Sequence, residues 1–177
     1  MNTTPRTLTA AVIAAAALMA GADPVTAMTT ADPGAPTTER ERGIVMECTG
    51  QARGLEAYAS LYENDRYGNV LQVVLGDPDA GNGRSKETRR PFLEDGTVRA
   101  AITVDGARAT IRGTAAKVGK KKQVHEVHDD AGYLITVDGT HKRLATDLVL
   151  SYDGVRVPLS CDPAFRYDLQ VTKQPIV

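Results

Sequence analysis

From Gly43 onward the chain alternates apolar and polar residues in short runs, and glycine-containing dipeptides separate the runs. A period of two between turn signals predicts antiparallel strands, and no stretch of ten or more residues carries a helical period. Four Asp-Gly pairs, at 95/96, 105/106, 138/139 and 153/154, mark the expected hairpin turns, because a type I′ turn needs positive φ at both central residues. Centring a turn on Asp105-Gly106 pairs Val104 with Ala107, Ile102 with Ala109 and Ala100 with Ile111 on an apolar face. Thr103 then meets Arg108, Ala101 meets Thr110 and Arg99 meets Arg112 on the polar one. The same construction at Asp153-Gly154 pairs Tyr152 with Val155, Leu150 with Val157, Leu148 with Leu159 and Thr146 with Cys161. A slip of one residue would turn every side chain over, so agreement along both arms supports these registers. Phe165, Tyr167, Leu169 and Val171 fall on one side of a last strand, and Pro158 implies an edge position or a bulge.

Ile44, Met46 and Cys48 share one face of the first strand, which places Cys48 on the apolar side. An even cysteine count in an exported chain then predicts one disulfide, Cys48 to Cys161, joining the first strand to a late one. Neighbouring first and late strands lead to the expected fold: an all-β, antiparallel up-and-down meander of about eight to ten strands closed into a small barrel. An immunoglobulin-type sandwich fits less well, since the chain has no Trp and its cysteines are too far apart.

The segment before Gly43 reads differently. Arg6 precedes an apolar run from Leu8 to Ala22, and small residues follow it, which is the pattern of a secretory signal peptide. Cleavage is expected after Ala27, with Ala22 as the other position. The run is shorter than the roughly 20 residues that a membrane-spanning helix needs, so no span is expected in the mature chain and the destination is secreted. Residues 28–42, rich in Thr, Pro, Ala and charge, read as a flexible tether, and 43–177 as a single domain. Removing the leader leaves about 150 residues, enough for one core.

Lys and Arg number 21 against 22 Asp and Glu, a balance that gives no support to nucleic-acid binding. No nucleophile with a base, metal cluster or spaced carboxylate pair is legible, so the expectation is a non-enzymatic protein with no catalytic residues, metal or cofactor. His125 and His128 are three apart in an extended segment and point to opposite faces, unlike a helical zinc motif; only a bulge at Asp129-Asp130 would gather His128, Asp129 and His141. Asp77 and Asp79 begin a glycine-rich segment that lacks the remaining positions of a calcium loop. Two basic groups stand out: Lys117 with Lys120, Lys121 and Lys122, and the outward trio Arg99, Arg108 and Arg112, either of which could meet an anionic polymer or an acidic partner.

The hairpin over 54–75 carries the strongest recognition signal. Pairing Leu61 with Leu71, Ala59 with Val73 and Ala57 with Leu75 on the inside leaves Tyr62 beside Val70 and Tyr58 beside Val74 on the outside. Two tyrosines with two valines exceed what a solvated face usually carries, and tyrosine is a favoured anchor. The competing account has the connection from Gly76 to Glu94 folding over this face. That connection holds Lys86, Arg89 and Arg90, and Lys86 or Arg89 would be the bait residue of a protease inhibitor. The inward positions Ala57, Ala59, Ala100, Ala107, Ala109 and Gly113 are small, which means either close packing or an internal space. The expected role is a surface binding module or inhibitor acting on another protein. A carrier of a small apolar ligand and an enzyme with no recognisable motif are the alternatives.

Overall fold

The computed structural model describes residues 35–76 and 82–176. The apolar leader and residues 28–34 of the expected tether lie outside them, as does most of the segment beginning at Asp77. The described residues form ten strands: β1 (Thr37–Ala52), β2 (Leu55–Asn64), β3 (Gly68–Leu75), β4 (Gly83–Thr88), β5 (Leu93–Glu94), β6 (Thr97–Val104), β7 (Ala107–Lys117), β8 (Lys122–Asp130), β9 (Tyr133–Tyr152) and β10 (Val155–Pro175). Nine of them follow the order β4-β3-β2-β1-β10-β9-β7-β6-β5, and β8 pairs with the N-terminal half of β9. Every pairing is antiparallel.

The expected closed barrel is corrected: the sheet is an open, strongly curled half-barrel whose edges stand 13 Å apart. First and last strands do pair, but β1 and β10 lie in the middle of the order, and the seam falls between β4 and the β5/β6 edge. The register explains why closure fails there. Lys86 pairs with Leu71 and Arg84 with Val73, so both basic residues stand on the core-facing side of β4. Hydrogen-bonding β4 to β6 would bury those charges without partners in the core, at a large desolvation cost. Instead Arg84 reaches out to Asp105 at 3.3 Å, and both side chains stay about half exposed.

Period-two burial builds the core. Ile44, Met46 and Cys48 of β1, Ala59 and Leu61 of β2, and Leu71 and Val73 of β3 are buried on the concave side. They meet Val98, Val104, Ile111, Leu148, Leu150 and Val157 from the other half of the sheet in one cluster. Each such aliphatic side chain contributes about 1.5–3 kcal/mol on burial. The small inward residues let the sheet curl this tightly: Ala57, Ala59 and Ala109 are packed inside the cluster, and Ala100 lies at its margin. Cys48 and Cys161 face each other in the β1–β10 pairing and are disulfide-bonded.

The expected registers at 104/107, 102/109, 152/155, 150/157 and 148/159 are the observed ones. The pair Thr146 with Cys161 is not, because the β9–β10 register breaks between Leu159 and Phe165, around a cis Asp162-Pro163 peptide. Pro158 therefore sits in an internal strand just before an irregularity, rather than at an edge. Asp95-Gly96, Asp105-Gly106 and Asp153-Gly154 turn with positive φ at both residues, and so do Arg53-Gly54 and Ala131-Gly132. Asp138-Gly139 lies inside β9 instead: a Cβ at Gly139 would stand 2.3 Å from the Asp168 carbonyl oxygen, so the glycine serves close strand approach. The ordered sheet also begins earlier than the boundary at Gly43, since Thr37 to Arg42 pair with Lys173 to Asp168 as the first part of β1.

Candidate functional site

Because Ile44, Met46 and Cys48 face inward, Val45 and Glu47 face out, and the register carries this parity across the sheet. Tyr58 is flanked by Thr49 and Val74, and Tyr62 by Val45 and Val70. All four expected recognition residues, Tyr58, Tyr62, Val70 and Val74, thus stand on the convex face, each partly exposed. The connection after Gly76 does not fold over them in its described part; Gly83 to Thr88 extend the sheet sideways as β4. Lys86 is consequently a strand residue, and Arg89 follows the strand end.

The pairing of β1 with β10 adds aromatic residues to this face from the far end of the chain. Val45 is opposite Phe165, so the row Val70, Tyr62, Val45, Phe165 crosses four adjacent strands. One step along, Gly43 lies between Asn64 and Tyr167. A Cβ at Gly43 would fall 1.7 Å from the Glu63 carbonyl oxygen and 2.6 Å from the Tyr167 hydroxyl; only glycine leaves room for the tyrosine to lie across β1. Tyr167 donates its hydroxyl to the Glu63 carbonyl at 2.7 Å, is buried to 4% exposure, and stacks with Tyr62 at 6.3 Å between ring centres. Burial, with Tyr62 as neighbour, pushes the Tyr167 phenol well above its ordinary value, and burial also raises Tyr58. His141 of β9 stacks on Phe165 at 4.2 Å, and desolvation lowers its pKa, which favours the neutral ring. The strip continues onto the paired ends of β9 and β10, where Val171 meets Val137 and Lys173 meets Ile135.

Below the strip a polar network fixes the β2–β3 turn. Asn64 donates to the Tyr62 hydroxyl at 2.9 Å and to Glu41 at 2.8 Å, while its own carbonyl accepts from the backbone of Arg66 and Tyr67. Tyr67 donates its hydroxyl to Glu39 at 2.8 Å; burial and that carboxylate push its pKa up to about 12. Tyr62 is therefore anchored at its hydroxyl and presents ring surface, the arrangement of an amphipathic contact residue.

The histidines do not converge. His125 bonds to Asp138 at 2.7 Å, His128 pairs with Ile135 and Asp129 with Leu134, whereas His141 lies opposite Lys122 at the other end of β8. Among the described residues no group of three His, Cys, Asp or Glu side chains is placed to hold a metal ion. Phe165, Tyr167 and His141 were not legible as members of the strip. The outward parity of Val45 was available from the alternation of Ile44, Met46 and Cys48, but its pairing with Phe165 spans about 120 residues and leaves no local trace. No protein-family model, curated protein or solved structure matches this chain.

Proposed function

We propose that this protein is an exported, non-enzymatic binding module that docks onto another protein through its convex face. The centre of the docking surface is the row Val70, Tyr62, Val45, Phe165, with Tyr58 and Val74 at its margin. The observation that carries this reading is the contiguity of aromatic and aliphatic side chains over four neighbouring strands, with no described element layered against them. Such a patch, rimmed by polar residues, fits a protein contact. The apolar leader supports export, and a disulfide inside the domain suits an oxidising compartment. Of the inward alanines, Ala57, Ala59, Ala100 and Ala109 belong to the packed cluster, which favours a surface role over a carrier.

Replacing Tyr58 with a photo-crosslinking phenylalanine derivative, in protein added to the extracellular fraction of its own cells, tests the face. One discrete adduct is expected, absent when the probe replaces Thr103 in the other half of the sheet and lost when Val70→Lys is added. Adducts that are the same from both positions, or insensitive to Val70→Lys, would overturn the reading.

A further inference from the structure

A second part of the convex face, across β6, β7, β9 and β10, has the opposite character. Its outward rows are Arg99, Arg112, Val149, Pro158 and, one step along, Ala101, Thr110, Ser151, Arg156, with Arg108 opposite Thr103 beyond them. All four arginines are exposed, and among the described residues none has a carboxylate within salt-bridge distance. Arg99 and Arg112 stand directly opposite each other, a like-charge pairing that destabilises a sheet. The acidic residues of this face, Glu94 and Asp147, share a single row with Thr97 and Thr114, next to the row of Arg99 and Arg112.

The surface is also hollowed. A groove of about 430 Å³ runs over Thr110, Arg112, Gly113, Asp147, Val149, Ser151 and Arg156. Gly113 lines it, with a φ of +152, and a Cβ added there would lie 1.9 Å from the Asp147 carbonyl oxygen. The hydroxyls of Thr110 and Ser151 lie between the arginines and supply neutral donors.

We propose that this groove binds an extended phosphate polymer that carries no aromatic groups, the phosphates crossing from Arg156 over Arg112 to Arg99. Four strands at about 4.8 Å spacing give the basic band a width of about 14 Å, so it takes several consecutive phosphates rather than one. Guanidinium forks suit phosphate oxygens. None of the side chains in the two rows is aromatic, which removes the stacking platform that a single-stranded nucleic acid uses. This site shares no residue with the docking face and stands or falls separately from it.

The test is binding of inorganic polyphosphate, a non-aromatic phosphate chain, to the intact disulfide-bonded protein over a range of salt concentrations. Arg99→Gln with Arg112→Gln is expected to weaken binding at least tenfold and to flatten the salt slope by about two, one for each lost contact. Lys120→Gln, Lys121→Gln and Lys122→Gln together should leave affinity and slope unchanged. Because all these positions are exposed, thermal unfolding should show the variants folded. Three results would overturn the proposal: no binding, equal loss from the lysine variant, or equal or tighter binding of polyglutamate or a single-stranded oligonucleotide.

Discussion

Glu63 shows how one buried carboxylate organises the open side of the sheet. It pairs with Ile44 on the inward register, is 8% exposed, and accepts the backbone N–H groups of Phe92 and Leu93, the latter at 2.7 Å. These bonds fasten the chain where it crosses from β4 to β5. Burial pushes the carboxyl above its ordinary 4.5, and the two N–H groups with Arg166 pull it partly back. Since the folded pKa exceeds the unfolded one, the native state holds the proton longer, and stability falls as pH rises from 4.5 through the folded value. Glu63→Gln keeps an acceptor oxygen and removes the titration. Urea unfolding between pH 4 and 7 should therefore show wild type losing stability relative to the Gln variant, and parallel curves would refute this. Asp168 works in the opposite sense: Arg40, bonded to both its oxygens at 2.7 Å, holds it down to about 2, so its contribution is lost as pH falls from 3.8 towards 2. Because that pair is solvent-exposed, its contribution is small.

At the scale of elements, β4 decides the architecture. An edge strand with free backbone groups invites pairing with another chain, and inward-pointing charges are a known deterrent. Arg84 and Lys86 occupy those inward positions. Arg84→Thr with Lys86→Val removes both charges and is expected to let β4 pair, within one molecule by closing onto β6 or between copies as dimers visible by light scattering; a monomeric variant whose β4 amide protons exchange as fast as those of the wild type would count against this role. The same strand marks the limit of what the sequence reveals. Hairpin registers are legible because a two-residue turn and alternation on both arms constrain each other locally, as at Asp105-Gly106 and for Tyr62 beside Val70. Closure is not legible, since it depends on which side Arg84 and Lys86 take once β4 pairs with β3. Nor is the role of Gly139, which looks like a turn residue until Leu169 is seen packed against it. Two turns escape notice because Arg53 and Ala131 take the positive φ usually given to Asp or Asn. Of the candidate docking site, the half on one hairpin could be read directly, whereas Phe165, Tyr167 and His141 join it only through long-range pairing.

For the whole molecule, the central position of β1 and β10 matters more than the open seam. Thr37 pairs with Lys173, so both ends of the described chain leave from the same end of one ladder, and Cys48–Cys161 lies further along it. A pull applied at the two ends therefore meets hydrogen bonds one at a time, as a zipper does, until it reaches the sulfur bridge. There the tension passes from Cys48 straight to Cys161, and residues 49–160 carry none of it. In a single-molecule stretching experiment on the oxidised protein, the length released is expected to stop at about 80 Å, against roughly 450 Å after reduction. Release well beyond about 80 Å with the disulfide intact would show a different load path. A protein gripped at its ends by moving surroundings would thus lose its outer ladder first, and the hairpins bearing the tyrosines and the arginines would stay mechanically at rest.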